Sequence, residues 1–290
     1  MNVRSLTRGL CSAYAATTLT IKCAKIAFAE TITVTDIAGR VVEVEKIPSK
    51  AVISKGRMIY SIALLDQNNP FERVVGWKND MIRFDPDAYR KYEAAFPQAA
   101  DIPSFGSPYS DEWNLEAVIA LGTEVVLMNL GNLLKAQESE IIEKLEEAGV
   151  AAIFVDFRQD PTQNTVPSIQ LVGRIFDKRD EADAFGDYYQ VQMKLIYARV
   201  QEIPVEDRPV VFIERAAGYS PAKCCSTFGA VNLGRLVDLS GGINWGSLKS
   251  PGFSTAVTPS IIYPIGIITS LIGVPVFISI ILCTRRGRLS

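Results

Sequence analysis

The sequence predicts an α/β protein with two lobes that are joined by a long helix, and three observations support this. Short runs rich in β-branched residues alternate with stretches of helical periodicity between residues 30 and 160. Such alternation is typical of strand–helix–strand units and of a sheet with mostly parallel strands. A helical stretch then covers residues 161–203, and a new β-rich run begins at Pro209.

The elements of the first lobe, residues 30–160, follow one another at short spacing. We predict strands at residues 31–35, 41–44, 51–54, 73–76, 124–128 and 150–155, and helices at residues 58–65, 85–95, 114–121 and 133–148. The first two strands form a hairpin, because Asp36 to Gly39 is a turn sequence. Asn114 is a favourable N-cap for the helix that follows it. In parallel sheets, ligands bind at the carboxyl ends of the strands.

The second lobe, residues 204–260, is predicted to be partial. The connecting stretch at residues 161–203 has helical spacing of its apolar side chains Ile169, Leu171, Val172, Ile175 and Phe176. After it we predict a strand at residues 209–213, a loop at 214–227 and a helix at 231–239. Gly241 and Gly242 are expected to end that last helix.

Composition excludes several kinds of chemistry. The 290 residues include 30 Lys+Arg and 32 Asp+Glu, for a net charge of -2, which offers no general argument for a nucleic-acid partner. The sequence contains no histidine, so Ser-His-Asp and Cys-His nucleophiles and His-containing zinc sites are excluded. No acid–base–nucleophile constellation is visible either, so we predict no enzyme activity, with an enzyme on the same two-lobed scaffold as the least favoured alternative. We also predict no cofactor and no metal site. No Walker-type phosphate loop is present, so any ATPase is another chain.

The N-terminal segment, residues 1–29, resembles an export signal. Two arginines within the first eight residues precede an uncharged stretch at 9–21, and Ala27-Phe28-Ala29 is a small-x-small cleavage sequence. Lys22 and Lys25 interrupt this pattern. A short amphipathic helix or a transit-like leader is the alternative.

The C-terminal segment is uncharged from residue 250 to residue 284. Residues 261–283 are almost wholly apolar and long enough to cross a hydrocarbon core of ~30 Å, which predicts a transmembrane segment at 261–284. The tail at 285–290 contains three arginines, which places it on the cytoplasmic side. The alternative interpretation is a buried core helix.

Three stretches carry a resemblance to a known family. Residues 35–44 (TDIAGRVVEV), residues 114–127 (NLEAVIALGTEVVL) and residues 224–244, with CCSTFG, NLG and LSGGIN, resemble the iron-complex class of periplasmic substrate-binding proteins. The resemblance covers residues 31–260. It implies a two-lobed fold with a long connecting helix, and binding of a ferric siderophore, haem or cobalamin. It further implies delivery of that chelate to an ABC permease with a separate ATPase.

A second resemblance covers only the tail. Residues 264–277 (PIGIITSLIGVPVF) are similar to the end of the permease partner of the same transporters. The two resemblances meet abruptly after Ser260, where the family pattern has Glu. This junction suggests a fusion left by a deletion between neighbouring genes, and a maintained, designed fusion is the alternative. The second lobe would then be incomplete, so we expect weak or no ligand binding.

These observations predict the substrate-binding component of an ABC transporter for iron complexes, impaired if the second lobe is incomplete. The alternative is a membrane-tethered receptor or a permease remnant. The expected location is the periplasmic face of the inner membrane, with C-terminal anchoring, and soluble periplasm is the alternative.

Six residues are candidate ligand contacts. They are Arg57, Tyr60, Trp77, Tyr109, Trp113 and Arg215. Arg57 and Tyr60 follow a predicted strand, and the guanidinium fork of Arg57 suits carboxylate or catecholate oxygens. Trp77 follows the next strand and could stack on a ligand. The family resemblance places cleft aromatics at Tyr109 and Trp113, and Arg215 follows the first strand of the second lobe.

Each of these candidates also has an ordinary structural interpretation. Arg57 would be an exposed surface arginine, Trp77 would pack in the core, and Arg215 would form an internal ion pair at a strand end.

Overall fold

The computed structural model describes residues 30–45, 47–106, 113–214 and 227–249. The predicted export signal, the predicted membrane span at 261–284, Tyr109 and Arg215 lie outside these ranges. Within the ranges described, no helix combines the length and apolar character needed to cross a bilayer.

The chain begins with the predicted hairpin. Strands β1 (Thr31–Thr35) and β2 (Val41–Glu45) pair antiparallel. The turn is held by Asp36, whose Oδ1 accepts hydrogen bonds from the backbone N–H groups of Ala38 (3.0 Å) and Arg40 (2.9 Å). Arg40 also donates to the carbonyl oxygen of Ala152 at 2.9 Å. This contact fastens the hairpin to the edge of the main sheet.

The main sheet has four parallel strands in the order β4-β3-β5-β6. They are β3 (Ala51–Ile53), β4 (Val74–Trp77), β5 (Val125–Asn129) and β6 (Ala151–Val155). Every residue of β3, β5 and β6 is buried, as expected for a parallel sheet that is covered on both faces. The prediction of an α/β lobe built on a parallel sheet is confirmed.

Six helices connect and cover these strands. They are α1 (Ile59–Leu65), α2 (Asp80–Phe84), α3 (Pro86–Ala95), α4 (Leu115–Ala120), α5 (Leu133–Glu138) and α6 (Ile141–Glu147). The predicted N-cap is confirmed, since Asn114 Oδ1 accepts from the N–H of Ala117 at 2.9 Å. The single helix predicted at 133–148 is wrong. It is divided at Glu140, which has φ of +55°, after Ser139 Oγ hydrogen-bonds the carbonyl oxygen of Lys135.

The stretch predicted as one long connecting helix contains two helices, α7 (Pro161–Ile175) and α8 (Arg179–Gln201). The chain reverses at Asp177, whose φ is +57°, and Lys178 N–H closes the end of α7 on the carbonyl oxygen of Gly173 at 2.7 Å. A Cβ at Gly173 would lie 2.6 Å from Cβ of Ala182, so glycine permits the close antiparallel packing of α8 on α7. Residues 177–181 are all charged, but Ala182 follows Ile175 by seven residues, or about two helical turns, which is why the sequence suggested one helix.

The described part of the second lobe is small. It contains β7 (Val210–Val211), α9 (Leu233–Leu239), β8 (Ile243–Asn244) and α10 (Trp245–Lys249), with β7 parallel to β8. Gly241, with φ of +88°, follows the end of α9 as predicted. Asn244 Nδ2 donates to the carbonyl oxygen of Gly229 at 2.7 Å. The N–H of Asn232 donates to the carbonyl oxygen of Gln159 at 3.0 Å, which joins this segment to the first lobe.

Candidate ligand-binding site

A cavity of about 870 Å³ opens at the carboxyl ends of the parallel strands. Lys55 follows β3, Lys78 follows β4, Asn129 ends β5 and Arg158 follows β6, and all four line the cavity. β4 pairs with one edge of β3, and β5, the next strand in the chain, pairs with the other edge. The strand order therefore reverses at β3. This is where doubly wound sheets form ligand crevices.

The lining is strongly basic. Lys55, Arg57, Lys78 and Arg158 line the cavity together with one carboxylate, Asp80. Asp80 forms an ion pair with Arg57, with Nε and Oδ2 3.0 Å apart. Among the residues that the structure describes, the other three cations have no carboxylate within ion-pair distance. Four cations against one carboxylate give the lining a net positive charge, which favours an anionic ligand.

Arg57 is held in place from inside the protein. Asp80 is 4% exposed, and its Oδ1 accepts from the N–H of Gly56 while its Oδ2 accepts from Arg57 Nε. A Cβ at Gly56 would lie 2.4 Å from the carbonyl oxygen of Lys78, so only glycine fits between β3 and β4 here. The guanidinium also lies over the ring of Phe84, 5.6 Å from its centroid. Within the described ranges Arg57 donates to Asp80 through Nε alone, so its two terminal nitrogens can bind a ligand.

Tyr60 lies at the rim of the same cavity, and its hydroxyl donates to Oδ2 of Asp85. Burial raises the pKa of Tyr60 to about 12, and the hydrogen bond and the charge of Asp85 act in the same direction. The side chain is therefore a phenol at neutral pH. It can offer its ring to a ligand, but it is poorly suited to act as a phenolate ligand to a metal.

The loop after β6 is organised by Asp156, which is fully buried. Its Oδ1 accepts from the N–H groups of Arg158 (2.9 Å) and Gln159 (2.7 Å). Its Oδ2 accepts from the N–H of Asp160 and from Nδ2 of Asn164, both at 2.9 Å. These four hydrogen bonds hold the backbone that carries Arg158 at the cavity.

The two tryptophan candidates lie elsewhere. Trp77 is 1% exposed and packs in the core, with its ring centroid 5.7 Å from that of Phe71 and 6.1 Å from that of Tyr89. This position agrees with the core-packing interpretation and not with stacking on a ligand in the cavity. Trp113 packs against the apolar cluster on the other face of the sheet, and its Nε1 is buried without a hydrogen-bond partner in the described chain.

Of the six predicted contacts, the structure brings Arg57 and Tyr60 together at the cavity. The sequence prediction did not include Lys55, Asn129 or Arg158, and it noted Lys78 beside Trp77 without choosing it as a ligand contact. The sequence did contain a signal for these four residues. Each lies at or just after the end of a buried strand, as Arg57 does. Choosing the polar residues at the carboxyl ends of all four strands would have identified them.

Comparisons with known proteins show which fold the chain has. No family model matches the chain, and no curated protein matches it. The TroA-like periplasmic binding protein FepB from Veillonella parvula is similar in structure, with a TM-score of 0.67 and 21% identity over 79% of this chain and 65% of that one. This chain therefore spans less than two thirds of the length of FepB.

Two further structures have the same architecture. The molybdate-binding protein MolA from Haemophilus influenzae has a TM-score of 0.58 and 17% identity over 79% of this chain and 69% of that one. The siderophore-binding protein BauB, bound to ferric iron and two molecules of acinetobactin, has a TM-score of 0.53 and 18% identity over 74% of this chain and 67% of that one. The chain thus has the α/β fold of the TroA-like, two-lobed periplasmic binding proteins.

Proposed function

We propose that this chain is the substrate-binding component of an ABC transporter and that it binds an anionic ferric chelate. The observation that carries the proposal is the cavity of about 870 Å³, lined by Lys55, Arg57, Lys78 and Arg158 against the single carboxylate of Asp80. Structural neighbours that bind molybdate and a ferric siderophore support a role in solute binding.

The size of the cavity and its aromatic rim favour a chelate over a small oxyanion. Pockets of about 300–1,000 Å³ suit ligands of drug size, whereas a molybdate ion occupies a small fraction of that volume. Tyr60, Phe84, Phe157 and Phe185 line the cavity and can pack against planar rings. Arg57 adds a planar fork that matches carboxylate or catecholate oxygens. A siderophore with such groups satisfies all three features, and haem is the second chelate to test.

The experiment is a fluorescence titration of the full chain with a ferric tris-catecholate, haemin and molybdate in parallel. We expect saturable quenching by a ferric chelate and none by molybdate. The sequence predicts weak or no binding if the second lobe is incomplete, and weak binding here means a Kd above about 1 µM. Failure of both chelates to bind saturably would overturn the proposed function, and binding of molybdate alone would overturn the choice of ligand.

Reversing two of the unpaired cavity charges tests the location of the site. The double variant Lys55→Glu with Arg158→Glu is expected to weaken chelate binding about 100-fold or more, because it replaces attraction by repulsion at a partly desolvated site. Arg90→Glu is the matched control, since Arg90 forms an exposed ion pair with Asp87 on α3. The control should stay within about twofold of the wild type. Equal effects of the two variants would place the ligand outside this cavity.

Binding is also expected to depend on pH through Lys55. Burial lowers the pKa of Lys55 below its ordinary value of 10.5, and the nearby charge of Arg158 acts in the same direction, while Asp80 opposes them. An anionic ligand favours the charged ammonium, so it raises this pKa, and at pH values near or above the lowered pKa it binds with uptake of a proton. Affinity should therefore fall as pH rises through the lowered pKa, before an ordinary lysine would titrate.

Titrations from about pH 6 to about pH 10 measure this dependence. Lys55→Arg keeps the positive charge and should flatten the decline. An identical pH profile for the wild type and Lys55→Arg would contradict the role of Lys55.

The proposed partners are an ABC permease and its separate ATPase, and the proposed location is the periplasmic face of the inner membrane. The uncharged stretch at residues 250–284 supports C-terminal anchoring and keeps a tethered receptor as the second candidate function. Alkaline carbonate extraction distinguishes a membrane-anchored receptor from a soluble binding protein. An anchored chain stays in the membrane pellet, whereas a soluble binding protein is released.

A further inference from the structure

Helix α8 carries an apolar stripe that no described part of the chain covers. Tyr188, Val191 and Leu195 are 63%, 53% and 54% exposed, and their spacing places them on one face of the helix. The opposite face contains the buried residues Ala182 and Gly186 and packs on α7. The stripe is therefore turned away from the first lobe. Three large apolar side chains exposed in a row mark a candidate interaction surface.

Seven charged residues lie on α8, and four of them form two complementary pairs. Glu181 and Arg199 are separated by about five helical turns, so they share a face. Asp187 and Lys194 are separated by about two turns and flank the stripe. Each of the four is exposed, and none forms an ion pair within the described ranges. The acids lie toward the N-terminal end and the bases toward the C-terminal end, and both pairs are centred beside Val191.

We propose that this face of α8 pairs antiparallel with the same face of a second copy of the chain. In a two-fold arrangement whose axis passes beside Val191, Glu181 of each copy faces Arg199 of the other, and Asp187 faces Lys194. A two-fold interface requires such self-complementarity, because every contact occurs twice. In the antiparallel arrangement the dipoles of the two helices also point in opposite directions, so the positive end of each lies beside the negative end of the other.

Other features of the helix support a protein copy rather than a membrane surface as the occupant. An anionic bilayer attracts apolar residues that are flanked by lysine and arginine. Here Glu181 and Asp187 lie beside the stripe and would be repelled. The paired face extends about 27 Å from residue 181 to residue 199, which is short for a dimer interface. We therefore expect a reversible dimer that depends on concentration.

Sedimentation velocity of the full chain over roughly 1–200 µM tests this directly, because mass action shifts the dimer population across such a range. Glu181→Arg and Arg199→Glu as single variants are each expected to weaken dimerisation about tenfold, since each places like charges opposite one another. The double variant, Glu181→Arg with Arg199→Glu, should recover the affinity of the wild type. Recovery distinguishes a specific pair from a general loss of folding.

Cysteine cross-linking provides the second measurement. Val191→Cys should give disulfide-linked dimers on mild oxidation, because Val191 lies beside the axis and meets its counterpart. Val41→Cys is the matched control, since Val41 is 73% exposed but lies on the hairpin, and it should give no more cross-linked dimer than the wild type. A monomer at all concentrations, a dimer insensitive to the single charge reversals, or a double variant without recovery would each overturn the proposal. None of these outcomes depends on ligand binding.

Discussion

Replacing Trp77 by alanine is expected to lower the free energy of unfolding by about 3–5 kcal/mol, the range for removing a fully buried large aromatic side chain. Trp77 is 1% exposed, and its ring meets Phe71 edge-on at 5.7 Å between centroids. Its backbone N–H and carbonyl oxygen also pair with Pro103 and Phe105, and these bonds survive the substitution. The loss would therefore report the side chain alone. Urea unfolding followed by circular dichroism measures it.

Trp113→Phe is the control for this experiment. Trp113 Nε1 is buried without a partner in the described residues, so phenylalanine keeps most of the packing and removes an unsatisfied donor. We expect a change below about 1 kcal/mol. A similarly small loss for Trp77→Ala would contradict its place in the core. If instead Trp77→Phe impaired chelate binding while stability held, the indole would act on the ligand, as the sequence first suggested.

Replacing Asp156 by alanine is expected to cost about 3 kcal/mol of stability, because it leaves several buried donors without an acceptor. Asp156 is fully buried and accepts from three backbone N–H groups and from Nδ2 of Asn164. One of those backbone groups belongs to Arg158, which lines the cavity. The same substitution should therefore weaken chelate binding about tenfold or more, because the positioning of Arg158 is lost.

Denaturant unfolding and chelate titration on one preparation separate these two effects. Asp156→Asn keeps one carbonyl oxygen and should lie between the wild type and the alanine variant in both measurements. Asp87→Ala is the control, because Asp87 forms only an exposed pair with Arg90 and should change stability by less than about 0.5 kcal/mol. If Asp156→Ala were as stable as the control, its hydrogen-bonded role would be refuted.

The sequence predicted the local elements well because their signals are local. The hairpin follows from alternation across a turn, and the start of α4 follows from the side chain of Asn114. The buried strands follow from short apolar runs. The breaks at Glu140 and Asp177 were missed, because apolar residues resume at helical spacing beyond each of these polar runs and a left-handed residue other than glycine has no strong sequence signal.

Trp77 shows how moving the end of a strand by one residue changes the role assigned to a side chain. The sequence placed the end of β4 at residue 76 and left Trp77 in the loop, where it could face a ligand. In the structure the strand continues through Trp77, which pairs with Ile53. A residue inside a strand points to one face of the sheet or the other, and Trp77 points into the core. The strand boundary therefore decided between packing and binding.

What the sequence determined by itself was the six strands of the first lobe, the N-terminal cap of α4 and the absence of histidine chemistry. What only the tertiary structure decided was which charges meet. Lys55, Lys78 and Arg158 are far apart along the chain, and the strand order β4-β3-β5-β6 brings them to one cavity. The physical reason is that strand pairing and helix packing act over long range, whereas sequence patterns report on each segment alone.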